Sequence, residues 1–121
     1  MTGRERALGA RFFIGLLAAL ATGCGDDPRV PCPDGGTTLR YDNFGQGFLE
    51  ANCNYCHAAV ITNRAGAPTD FTFDTLDEVL ARRDRILARA AGDRPSMPPG
   101  PSKPTAADRQ RLAEWLACAP P

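Results

Sequence analysis

Cys53-Asn54-Tyr55-Cys56-His57 is the stretch on which the reading of this 121-residue chain turns. It matches CxxCH, the pattern through which a c-type haem is attached. Two thiols three positions apart can add across the two vinyl groups of one porphyrin, and the next residue then supplies an imidazole to the iron. Only three of the five positions are specified, and the same pattern occurs in zinc and thiol-redox proteins. The rest of the chain has to decide between them.

The N-terminus has the layout of an export signal. Arg4, Arg6 and Arg11 form a basic start, residues 12–21 are an apolar run, and small residues precede Cys24. The run is shorter than the about 20 apolar residues that span a bilayer. Residues 1–23 are therefore read as a signal peptide and set apart from the fold. Leu20-Ala21-Thr22-Gly23-Cys24 resembles a bacterial lipobox, in which the cysteine is acylated and becomes the mature N-terminus. The alternative is an ordinary cleaved signal that leaves Cys24 as a free thiol. Gly25 stands where an aspartate causes inner-membrane retention in some bacteria, which leans toward the outer membrane.

Removal of residues 1–23 takes away three arginines and Glu5, so 11 of the 14 basic and 13 of the 14 acidic side chains remain. That near balance, without a basic patch, gives nucleic-acid binding no support. A domain of this size with few aromatics buries only a modest core, and a covalently held porphyrin would add apolar volume. If Cys24 takes lipid and Cys53 and Cys56 take haem, Cys32 and Cys118 remain, one near each end of the folded part. In an oxidising compartment these two are expected to pair, the alternative being two free thiols.

The segment 24–40, rich in Gly, Pro and Asp, reads as a flexible tether, whose second half a Cys32–Cys118 bridge would pin to a domain over 41–121. Asp42 or Asn43 can cap a first helix running to about Cys53, with Phe44, Phe48 and Leu49 at helical spacing. Residues 58–74 lack periodicity and read as a loop around the haem. Thr75 with Glu78 forms a capping box for a second helix, whose apolar face is Leu76, Val79, Leu80, Ile86, Leu87 and Ala90 and whose end lies near Ala91-Gly92. The arginines at 82, 83, 85 and 89 read as a solvated face. Five prolines between 93 and 104 exclude a regular helix or central strand there. Thr105, with Asp108 three residues on, caps a last helix whose apolar side is Leu112, Trp115 and Leu116.

His57 is the only histidine, and Met97 is the only methionine once Met1 is lost with the signal. Bis-histidine ligation within one chain is thereby excluded, and Met97 is the available thioether. A soft thioether opposite imidazole favours ferrous iron and raises the potential, which suits an electron carrier. The proline-rich loop around Met97 has little conformational entropy to lose when held over the iron.

On CNYCH, on Met97 in a proline loop and on the flanking helices, residues 41–118 resemble a small class I cytochrome c domain of the bacterial lipoprotein kind. The resemblance implies an all-α, cytochrome c-like fold of three or four helices and long loops around one covalently attached haem c, with His57 and Met97 as axial ligands. It implies that Gly45 and Leu49 pack against Leu112 and Trp115, and that the Pro68 carbonyl accepts the hydrogen bond from His57 Nδ1. It also implies redox protein partners, membrane attachment through the N-terminal lipid facing the periplasm, and neither catalysis nor a small-molecule substrate. Two other classes stay open: a haem enzyme or sensor with Met97 displaceable, and a non-haem thiol or zinc lipoprotein in which Cys32 or Cys118 completes a site with Cys53, Cys56 and His57.

Overall fold

The computed structural model describes residues 32–91, 94–100 and 103–119. The signal segment, Cys24 and residues 25–31 lie outside the described residues. Among those described, all regular structure is helical, and no helix is long and apolar enough to cross a membrane.

The first helical segment opens as a π-turn, Tyr41–Gly45, and continues as α1, Gln46–Asn52, and a short α2, Asn54–His57. Its N-cap is Arg40 rather than Asp42 or Asn43. Asn43 still serves the terminus, because its Oδ1 accepts from the Arg40 N–H at 2.7 Å and its Nδ2 donates to Thr38 O at 2.9 Å. The side chain that the sequence offers as a cap works from inside the first turn instead.

The second segment follows its capping box closely. Thr75 Oγ1 accepts from the Glu78 N–H and Glu78 Oε2 accepts from the Thr75 N–H, at 3.3 and 2.9 Å. α3 (Leu76–Ala81) and α4 (Arg83–Ile86) are separated at Arg82, whose backbone leaves helical geometry at φ −115°, ψ 11°. A π-turn over Leu87–Ala91 closes the segment. Val79, Ile86, Leu87 and Ala90 are buried, as the spacing predicts, while Leu76 and Leu80 are half-buried.

α5 (Ala106–Cys118) begins at Thr105, whose hydroxyl accepts from the Asp108 N–H at 3.1 Å. Leu112 and Leu116 are fully buried together with Leu49 of α1. The Trp115 ring meets Phe44 edge-on, centroids 6.1 Å apart. Gly45 lies directly against this ring, so close that a Cβ built on it would stand 2.5 Å from Trp115 Cζ2. The first and last helical segments therefore meet through a glycine and a tryptophan, as expected.

Cys32 and Cys118 form a disulfide. Residues 32–40 carry further ties: Thr37 Oγ1 donates to Glu114 Oε1, and Leu39 packs against the core. The bridge and these contacts hold residues 32–40, the second half of the expected tether, onto α5.

Candidate functional site

The helical path of the motif brings its three reactive side chains to one wall. Cys53 N–H donates to Leu49 O and His57 N–H to Cys53 O, at 2.8 and 3.0 Å, so helical hydrogen bonding resumes across CNYCH although the backbone departs from helical angles at Cys53, φ −123°. Positions i, i+3 and i+4 then share a face. Cys53, Cys56 and His57 all line one cleft of about 350 Å³, within the range of about 300–1,000 Å³ usual for ligand pockets. Met97 and Pro98 line it as well, brought from a segment forty residues away in sequence. Phe48, Phe71, Phe73 and Ile86 make much of its surface apolar.

His57 is fixed on two sides. Its ring stacks on Phe73 at a centroid distance of 4.6 Å and an interplanar angle of 20°, and Nδ1 lies 2.9 Å from Phe71 O. A carbonyl oxygen can only accept, so Nδ1 carries the hydrogen, and in the neutral ring Nε2 keeps its lone pair. This is the tautomer that metal ligation through Nε2 requires. The acceptor is Phe71 and not Pro68. The Pro68 carbonyl is occupied by the Phe71 N–H at 3.1 Å and by Arg64 Nη2 at 2.9 Å, and the turn these bonds close carries Phe71 O to the imidazole. Pro68 itself stands on the cleft wall. A further tie, Phe73 N–H to His57 O at 2.9 Å, keeps this loop against the motif.

The Met97 segment is anchored through its backbone. Met97 N–H and Ser96 N–H both donate to Arg89 O at 2.9 Å, and Met97 O accepts from Arg109 Nη1 at 2.7 Å. Arg109 Nη1 also donates to Ala90 O. The guanidinium is buried and ties α5 to the end of the second segment and to the Met97 loop at once. The Met97 side chain remains partly exposed at the cleft. Tyr55 O–H adds a bond to Gly100 O at 3.1 Å, from the motif to the same proline-rich loop.

Arg109, Arg64, Phe71 and Phe73 are the site residues that sequence reasoning missed. Arg109 carried a signal: it falls three residues before Leu112 on the apolar side of α5, where an unpaired charge would not be tolerated. The other three lie in an irregular loop without periodicity, and nothing in their spacing distinguishes them. The arginines of the second segment are only partly a solvated face. Arg85 and Arg89 are exposed at the cleft, whereas Arg82 pairs with Asp70 at 3.0 Å and lies 4.4 Å over the Phe71 ring, and Arg83 donates to Ala119 O.

The chemistry of the thiols separates the competing uses of the motif. Burial pushes the Cys53 thiol up to about 12, against a smaller opposing pull from Arg109. Reactive redox cysteines have lowered values, because the thiolate is the nucleophile. Cys32 and Cys118 are joined to each other, so neither can complete a zinc site with the motif. Among the described residues no group of three or more His, Cys, Asp or Glu converges as a metal cage. A porphyrin iron makes a smaller demand, since the ring supplies four donors and the protein only axial ones. An apolar cleft with two thiols and a histidine on its wall fits that group.

No family profile, no curated protein and no solved structure matches the chain.

Proposed function

We propose that this chain is an electron-transfer protein of the mono-haem cytochrome c kind, with a cytochrome c-like fold. The observation that carries the reading is the convergence of Cys53, Cys56, His57 and Met97 on one apolar cleft, with the Nε2 lone pair of His57 left available. The haem, when bound, supplies reversible one-electron chemistry at iron. Cys53 and Cys56 would hold it through thioethers, each S–H adding across a vinyl C=C without a co-reactant, and His57 and Met97 would be its axial ligands.

The residues of the chain then have separate tasks. Phe71 O and the Phe73 ring orient the imidazole, and hydrogen bonding at Nδ1 raises its basicity toward the metal. Arg109 and Arg89 O hold the Met97 segment in register. Phe48, Phe71, Phe73 and Ile86 exclude water, which stabilises the less charged reduced state. With the only histidine assigned to ligation, no imidazole is left for acid–base chemistry, which supports a non-catalytic role.

The N-terminal sequence supports export, lipid attachment at Cys24 and a membrane-anchored site facing the periplasm with the outer membrane favoured, and the cytochrome resemblance implies larger redox proteins as donor and acceptor. Expression in a host able to attach haem c, followed by a denaturing gel stained for haem, tests attachment. Covalent haem in the wild type, and its loss in the Cys53→Ala/Cys56→Ala double variant, are expected. A wild-type band free of haem, from a host that loads other c-type proteins, would reject the reading.

A further inference from the structure

Arg64 stands in the loop after the motif and lines the cleft. Its guanidinium donates to four carbonyls: Nη1 to Ala58 O at 2.8 Å, Nη2 to Pro68 O at 2.9 Å and to Phe71 O at 2.8 Å, and Nε to Ala67 O at 3.3 Å. The turn that allows this runs through Ala65 and Gly66, both at positive φ, 49° and 85°, and is closed by the Ala67 N–H on Arg64 O. One of the four acceptors, Phe71 O, is the oxygen that also accepts from His57 Nδ1. A carbonyl has two lone pairs, and a charge-assisted donor on one of them withdraws density from the other.

We propose that Arg64 is a positioning residue that sets the electronic character of His57 by sharing the Phe71 carbonyl with it. The proposal rests on the haem reading above. With the guanidinium in place, Phe71 O is a weaker acceptor, the imidazole has less anionic character, and ferric iron is stabilised less. The positive charge beside the site acts in the same direction. Arg64 thereby holds the reduction potential up.

The carbonyl does not depend on Arg64 alone for its place. Phe71 N–H is bonded to Pro68 O, Phe73 N–H to His57 O, and the Arg82 guanidinium lies over the Phe71 ring. Replacement of Arg64 is therefore expected to leave Phe71 O against Nδ1 and to strengthen that bond. A residue that merely stapled the loop would do the reverse.

The test compares wild type, Arg64→Gln and Arg64→Lys in the haem-loaded chain, by redox titration and by the Nδ1–H resonance of His57 in the reduced protein. The expected result for Arg64→Gln is a lower midpoint potential and an Nδ1–H resonance moved to higher frequency. Arg64→Lys, which keeps the charge but not the planar fork, should move the resonance in the same direction with a smaller fall in potential. An unmoved resonance, a raised potential, or full restoration of both readouts by lysine would overturn the carbonyl-sharing mechanism. Should Arg64→Gln fail to fold, the Arg64→Lys resonance decides alone. If the wild-type chain takes up no haem, the haem reading fails separately. Carbonyl sharing is then read in the haem-free chain, where an Nδ1–H of His57 unmoved by Arg64→Lys would overturn it.

Discussion

Gly45 and Gly47 sit two residues apart in the first helical segment, and alanine at each should have opposite effects. Gly45 has ordinary helical angles, φ −58° and ψ −50°, so its backbone does not demand glycine. In a free helix, alanine is favoured over glycine by about 1 kcal/mol. A Cβ at Gly45, however, would lie 2.5 Å from Trp115 Cζ2 and 2.9 Å from Cζ3, where carbon atoms pack best at about 3.5–4.0 Å. The Trp115 ring is only 3% exposed and is flanked by Tyr41 and Phe44, so it cannot swing into solvent. Forcing a methyl group into such a core costs about 1–3 kcal/mol, leaving Gly45→Ala less stable by up to about 2 kcal/mol after the helical gain. A Cβ at Gly47 meets nothing within 4 Å, so Gly47→Ala should gain up to about 1 kcal/mol. For a domain of this size, 1 kcal/mol moves Tm by about 4–8 °C, so thermal unfolding of the two variants should separate them clearly on either side of wild type. Equal shifts, or a Gly45→Ala variant as stable as Gly47→Ala, would refute the packing of the first helical segment on α5 through this glycine.

Arg109→Gln should cost about 1–3 kcal/mol by leaving the carbonyls of Ala90 and Met97 without their buried donor, and in the haem-loaded protein it should weaken the far-red sulfur-to-iron band as the Met97 segment loosens. Replacing Cys32 and Cys118 together by serine removes a bridge across 86 residues, worth about 4–5 kcal/mol by loop entropy, and should be seen as a lower denaturant midpoint. Glu78 responds to pH. The Thr72 hydroxyl holds its carboxyl below the ordinary range, against an opposing effect of burial and with further help from the backbone and hydroxyl of Thr75. A lowered folded value means that its contribution is complete above the ordinary carboxylate range and lost as pH falls through the lowered value. The difference in Tm between wild type and Glu78→Gln should therefore be largest near neutral pH and close in acid.

What was legible in the sequence is what local side chains or elimination determine. Thr75 with Glu78 and Thr105 with Asp108 act within one turn, so their spacing alone places two helix starts. The pairing of Cys32 with Cys118 follows once the motif cysteines and Cys24 are assigned elsewhere, although the tie from Thr37 to Glu114 has no counterpart in spacing. The first helix shows the limit, since Asn43 is a good capping residue by type but acts from the first turn, the chain having already entered the helix after Arg40. The acceptor for His57 could not be read at all. Pro68 and Phe71 are three residues apart in a loop without periodicity, and the choice between them is made by the backbone turn in which the Phe71 N–H takes up the Pro68 carbonyl. Arg109 was visible as a charge on an apolar face, but its partners are backbone carbonyls from two other segments, which no side-chain pattern announces.

The convergence of Cys53, Cys56, His57 and Met97 is the centre of the account, and the visible absorption spectrum of the exported protein, oxidised and reduced, tests it most directly. Wild type is predicted to give sharp reduced α and β bands with covalent haem and, when oxidised, the weak far-red sulfur-to-iron band. Met97→Ala should keep the covalent haem, lose that band and show a lower potential. Six-coordinate spectra unchanged in Met97→Ala, or no haem bound to the wild-type chain, would contradict it.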